Sequence, residues 1–226
     1  MTGAGIWSIA LFTIGVASLA TIAMLPFGLG LAWLLARRRF PGRILVDTVV
    51  TLPLVMPPVA TGLILLKLFG REGPIGRWLS RAGFDVVFTW KAVVLAMAVM
   101  GLPLFVRTAR AGFEQVSRRY EDVAETLGAS PRRVFFTISL PLASRSIAAG
   151  ALLAFSRAVG EFGATIMIAG AIPGRTRTLA VAIFTLTEAG QDHQAMLLLA
   201  LSVAIGFGAV LLTNVLSADR HDRAAV

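Results

Sequence analysis

Two side chains of this 226-residue sequence stand where charge is hard to accommodate. Arg157 and Glu161 lie four apart inside an apolar run from about Leu142 to Ala171. On a helix that spacing lets them meet, although arginine ahead of glutamate is the poorer orientation. An unpaired charge at membrane depth costs roughly 2.5–3.5 kcal/mol on insertion scales, so each needs a partner or water. The pair therefore either orients its helix or forms a polar element beside an anion path. In the second case Glu161 itself stays off the anion, because like charges repel. Thr51, Thr61, Ser156 and Thr165 supply hydroxyls that could touch an oxyanion weakly, as passage requires. A second constellation is acidic: Glu121, Asp122 and Glu125, followed by Gly128.

Other chemistries are missing. With no cysteine there is no thiolate nucleophile, iron–sulfur cluster or disulfide, and two histidines, His193 and His221, do not make a metal site. A phosphate-cradling G-x-x-x-x-G-K-[ST] loop needs lysine after glycine, yet the two lysines, Lys67 and Lys91, follow Leu66 and Trp90. No catalytic residue, metal or cofactor is expected of this chain. If nucleotide energy drives it, the nucleotide binds elsewhere.

The elements holding these residues belong in a bilayer. Hydrophobic side chains make up 57% of the sequence and charged ones 15%, against about 25% in a soluble domain. Met1 to Ala36 carries no ionisable side chain, which is ample for a spanning helix of roughly 20 residues and too long for a cleavable leader. Further apolar runs cover about Ile44–Phe69, Ala92–Val106, Leu142–Ala171 and Ala195–Leu216, so an all-α protein with about five spans is expected, as a single domain over 1–226. The second run holds Pro53, Pro57 and Pro58. Backbone groups freed by proline are tolerated at depth where they are buried or line a cavity, so a kinked helix beside a translocation route is expected there.

The basic residues that flank the spans set the orientation. Twelve fall on one side (Arg37, Arg38, Arg39, Arg43, Arg107, Arg110, Arg118, Arg119, Arg132, Arg133, Arg220, Arg223) and six on the other (Arg71, Arg77, Arg81, Lys91, Arg175, Arg177). The richer side is expected in the cytoplasm, with the N-terminus outside and the C-terminus inside. The net charge of +9 belongs to these flanks, and no nucleic-acid partner is expected. Gly150, Ala154 and Ala158 give the fourth run a small-residue face, suited to close packing within a subunit or between subunits.

The charged stretch between the third and fourth runs is well punctuated. Glu121–Leu127 reads as a short helix that Gly128 ends in the left-handed conformation. Ser130 before Pro131 caps a second helix, with Arg132 and Arg133 outward, Val134, Phe135, Phe136 and Ile138 inward, and Pro141 marking the turn into the next span. Hinged helices that expose acids and large apolar residues suit docking into a groove of a soluble partner, or else lie on the lipid surface. From the residues alone a channel, a partner-driven permease and a membrane scaffold remain open. A secondary transporter would carry more in-membrane acids and an internal repeat.

The run Asp122-Val123-Ala124, three residues, Gly128, nine residues, Ile138, Ser139, Leu140, Pro141 resembles the signature of bacterial ABC importer permeases: Glu-Ala-Ala, three residues, glycine, nine residues, isoleucine, any residue, leucine, proline. Three further stretches are similar to the molybdate permease branch. They are Phe27-Gly28 through Leu35-Ala36 with Phe40-Pro41-Gly42, Leu52-Pro53-Leu54 through Pro57-Pro58, and Gly160-Glu161-Phe162-Gly163-Ala164-Thr165 followed by Ile172-Pro173-Gly174 and Arg175-Thr176-Arg177-Thr178. Sulfate permeases share several of these features and tend to carry an additional N-terminal helix, so the resemblance implies molybdate, or tungstate, first and sulfate second. It implies the type I importer permease fold, a homodimer in the bacterial cytoplasmic membrane, and a coupling segment over 120–141. Through Glu121, Asp122, Ala124, Glu125, Gly128, Ile138, Leu140 and Pro141 that segment would meet a separate ATPase subunit, which binds the ATP and magnesium. A periplasmic oxyanion-binding protein would deliver the anion to the other face. The path would run past Pro53, Pro57, Pro58, Ser156, Arg157, Glu161 and Thr165.

Overall fold

A computed structural model describes residues 3–218, and every regular element among them is helical. Arg220, His221 and Arg223 lie outside the described residues. The chain runs α1 (Gly3–Arg37), α2 (Arg43–Val55), α3 (Pro58–Phe69), α4 (Pro74–Arg81), α5 (Trp90–Gln115), α6 (Arg118–Thr126) and α7 (Pro131–Val134). A π turn (Phe135–Ser139) follows, then α8 (Leu140–Val159), α9 (Gly163–Ala169), α10 (Leu179–Glu188) and α11 (Asp192–Ala218).

The centre is α5, packed between α1 and α8, with α11 against the far side of α8. Lipid gives helices no hydrophobic reason to associate, so they do so where small residues allow close approach. A Cβ on Gly28 of α1 would lie 2.6 Å from the Phe105 ring, and one on Gly150 of α8 would meet Thr108 and Phe105 of α5. Ala154 and Ala158 are buried beside it, so the small-residue face of the fourth run packs within the subunit. The opposite surfaces are apolar as well. Leu11, Ile22, Val203 and Phe207 are exposed, as lipid-facing positions should be.

Among the described residues four helical stretches are long and apolar enough to cross a membrane: 5–37, 90–115, 131–159 and 192–214. A fifth span exists if α2 and α3 count as one. They do not form the single kinked helix that the apolar run suggested. The axis turns by 116° between Val55 and Pro58. Pro57 and Pro58 both lack the amide a continuing helix would use, and Met56 is pushed into extended backbone (ψ 146°). At about 1.5 Å per residue the two halves are roughly 20 and 18 Å long, so neither crosses a 30 Å core alone.

Other boundaries differ from the sequence expectation. The third span continues past Val106 to Gln115, because Arg107 to Gln115 is mostly good helix formers without proline, and its one glycine, Gly112, sits where α5 closes on Ser146 of α8. Pro141 makes no turn: 131–159 is one continuous helix that absorbs the proline by widening into the π turn just before it. The fourth span stops at Val159 rather than Ala171, and Gly160 to Phe162 redirect the chain into α9.

Candidate coupling surface and permeation residues

The connection between α5 and α8 forms as its residues require. Ser117 precedes α6, which ends at Gly128 with φ +87°. There Ala129 N–H donates to Ala124 O (3.0 Å) and Gly128 N–H to Glu125 O (2.9 Å), which satisfies carbonyls the helix leaves open. The Ser130 side chain accepts from Arg133 N–H at 3.4 Å, and Pro131 opens α7. Asp122 and Glu125 are exposed and line a cleft with Glu121, Arg37 and Arg118, and Leu127 just past the end of α6 is 83% exposed. Beside them a cleft of about 920 Å³ is lined by Tyr120, Val123, Ala124, Leu127, Ile138 and Pro141. Leu140 is half-buried at the root of α8. Phe136, expected inward, is 64% exposed: the π turn carries it round to the outside while Val134 is buried and Phe135 half-buried.

Glu121 differs from the other two acids in facing the interior. Its Oε1 accepts from Arg37 Nη2 at 2.9 Å, and the two side chains are 8% (Arg37) and 15% (Glu121) exposed. The same oxygen accepts from Ser139 Oγ at 2.6 Å. Of the three acids, only Asp122 and Glu125 are exposed. Arg37 Nη2 also donates to Val116 O (2.9 Å), and Arg118 Nη2 donates to Arg37 O (3.2 Å). Below this polar knot Phe135 meets Trp33 edge-on at 5.7 Å and Phe113 at 6.1 Å.

The permeation candidates gather around α9. Arg157 Nη1 and Glu161 Oε2 form an ion pair at 2.6 Å. Glu161 lies beyond the end of α8, and its second oxygen accepts from Ala164 N–H (2.8 Å), so it fastens the start of α9 to the end of α8. The carboxylate is 1% exposed and Arg157 28% exposed. Alongside, α3 and α9 touch backbone to backbone. A Cβ on Gly62 would lie 2.7 Å from Ala164 Cα, and one on Gly163 would lie 2.8 Å from Pro58 Cβ. Thr61 and Thr165 are buried next to these contacts, and neither hydroxyl has a hydrogen-bond partner. Ser156 is satisfied by its own helix, through Leu152 O at 2.9 Å. Pro53 and Thr51 do not join this group. They belong to α2, where Thr51 lines a separate 280 Å³ cleft with Thr48 and Arg107.

The other end of the bundle carries Arg71, Arg77, Arg81, Lys91, Arg175 and Arg177. Asp85 accepts from Arg71 (2.7 Å) and Ser80 (2.8 Å), and these bonds, Arg71 first, hold its carboxyl below the usual range. Lys91 sits 3.5 Å over the Phe84 ring. Arg175 is exposed at a turn, whereas Arg177 is half-buried and bonded to Thr185.

The family described as binding-protein-dependent transport system inner membrane component matches residues 24–220. The chain belongs to this family. Among its curated relatives, the molybdenum transport system permease protein ModB of Escherichia coli K12 is 45% identical over 220 residues, 96% of either chain. ModB of Haemophilus influenzae is 41% identical over 207 residues, covering 91% of this chain and 90% of that one. The sulfate transport system permease protein CysT of E. coli K12 is 42% identical over 158 residues, 70% of this chain and 57% of that protein. The fold is that of solved ABC importers. A chain of the bacterial alginate importer superposes with a TM-score of 0.71 at 17% identity (94% of this chain, 78% of that one), and one of the methionine transporter MetNI with 0.64 at 18% identity (94% of each).

Two features of this binding-protein-dependent permease escaped the sequence reading. Arg37 was counted only as a flanking charge, since nothing local links it to a glutamate 84 positions on. Asp47 went unremarked at the start of the second apolar run, yet Arg110 Nη1 reaches it at 2.9 Å while its Nε holds Glu114 at 2.8 Å. An aspartate just inside an apolar run was the available signal.

Proposed function

We propose that this chain is the membrane-spanning subunit of a nucleotide-driven molybdate importer. The observation that carries the reading is the match to ModB across 96% of both chains. In this reading two copies form a homodimer with the pathway along their shared axis. An ATPase subunit, which binds the ATP and magnesium, docks on α6 and α7, where Asp122, Glu125 and Leu127 offer charge and apolar surface. A periplasmic binding protein delivers the anion at the opposite end. The coupling end faces the cytoplasm with the N-terminus outside and the C-terminus inside, supported by the twelve-to-six distribution of basic residues.

The chain's own task is mechanical and electrostatic. Closure of the ATPases on nucleotide draws the docked helices together and opens the path outward, and hydrolysis reverses the motion. The coupling energy is the difference in the partner's affinity for the two states. The route passes the α2–α3 break and the head of α9, where Arg157, 28% exposed, contributes positive potential already balanced by Glu161. Such a site passes an oxyanion on rather than trapping it.

Reconstitution in vesicles with the ATPase and binding protein tests the reading. Nucleotide-dependent uptake in which molybdate or tungstate outcompetes sulfate is expected. Preference for sulfate would install the second reading, which the identity to CysT supports. Uptake without nucleotide would overturn the importer mechanism.

A further inference from the structure

The polar knot beneath the coupling surface has a role that docking does not explain. In the spacing of the permease signature Asp122 holds the acidic position, and it is exposed. Glu121, one residue earlier, is turned a quarter of the helix away and half-buried against Arg37 and Ser139. Its Oε1 thus joins three elements: the last residue of α1, the first turns of α6, and the last residue of the π turn that leads into α8. Arg37 extends the tie to α5 through Val116 O, and Arg118 closes it by donating back to Arg37 O.

Well-packed apolar residues hold two helices together as firmly as a buried ion pair, often more so, but without fixing direction. Charge-assisted bonds of 2.6 and 2.9 Å from two directions on one oxygen fix how α6 sits on α1. The aromatic contacts of Phe135 with Trp33 and Phe113 back the same joint. Without the knot, α6 is attached to the span before it by the short 116–117 link and to the span after it through Gly128 and α7. A push on α6 would then reach α1 only indirectly, through the packing of α1 on α5 and α8.

We propose that Arg37 and Glu121 are positioning residues that lock α6 to α1, so that motion imposed on the coupling surface carries α1 and α5 together with α8. The proposal rests on the importer reading and deepens it. Glu121→Gln and Arg37→Gln are to be reconstituted in vesicles with the ATPase and binding protein, and molybdate imported per nucleotide hydrolysed measured. The ratio is expected to fall about tenfold, the scale of a typical coupling between sites.

Because the chain has no cysteine, a pair introduced at Arg39 and Thr126 can be spin-labelled cleanly. The labels should keep one narrow distance with and without nucleotide in the parent, and spread in Glu121→Gln when nucleotide binds. A parental ratio and an unchanged distance in Glu121→Gln would overturn the lock. Should that variant fail to assemble, Ser139→Ala removes one of the two bonds and carries the test. A fall in the ratio supports the proposal, and a parental ratio refutes it. Parent vesicles without nucleotide-driven uptake would instead count against the importer reading.

Discussion

The Arg157–Glu161 pair yields a sharp prediction because its two members are buried so unequally. Replacing Arg157 with Gln leaves a carboxylate that is 1% exposed, held only by Ala164 N–H at 2.8 Å. Breaking a buried pair this way costs about 3–5 kcal/mol. Replacing Glu161 with Gln keeps an amide oxygen that can accept the same N–H. The arginine left behind is 28% exposed and can reach toward polar surroundings. That variant should lose about 1–2 kcal/mol. The double variant removes both charges and should lie within about 1 kcal/mol of the parent, so the cycle returns a coupling energy of about 3 kcal/mol or more. Reversible unfolding in mixed micelles, followed for all four proteins, measures each value. If Arg157→Gln is no worse than Glu161→Gln, or if the two losses simply add, the carboxylate is not stranded and the reasoning fails.

Other outcomes follow from individual contacts. Gly62→Ala sets a Cβ 2.7 Å from Ala164 Cα, where no side-chain rotation can relieve it, and should destabilise by about 1–3 kcal/mol. Gly15→Ala meets nothing within 4 Å and should be neutral or stabilising in the same unfolding assay. Thr165→Val exchanges an unpartnered buried hydroxyl for a methyl and should raise stability by about 1 kcal/mol; a fall would mean the hydroxyl is satisfied. Asp85 has its carboxyl held low by Arg71 and Ser80, so its contribution is full above the ordinary carboxylate pKa and fades as pH falls through the lowered value. Hydrogen exchange over 70–89 should therefore quicken on acidification, and Asp85→Asn should abolish that pH dependence.

The spans were legible because lipid imposes a simple rule: a long apolar stretch bounded by arginine becomes a helix. Local punctuation was legible too, since Gly128 with its positive φ and the Ser130–Pro131 start are decided within a few residues. Breaks inside apolar runs were harder. Both halves of Ile44–Phe69 and of Leu142–Ala171 are hydrophobic, so composition passes smoothly over the turns at Met56 and Gly160. Only the double proline and the Gly-Glu-Phe-Gly cluster hinted at them. Pro141 misled in the opposite sense, because one widened helical turn accommodates a proline that sequence rules treat as a stop. Which acid would face inward depended on Arg37, and a contact 84 residues apart leaves no local trace.

The uninterrupted helix from Pro131 to Val159 makes the docking end and the membrane interior parts of one rod. At about 1.5 Å per residue it is roughly 44 Å long, so tilting it by about ten degrees about its base sweeps the far tip through some 7 Å. That tip abuts Gly160 and Glu161, where the chain changes direction and the buried carboxylate grips the next helix. A modest rocking at the water-exposed base is thereby delivered, magnified, to the joint between α8 and α9.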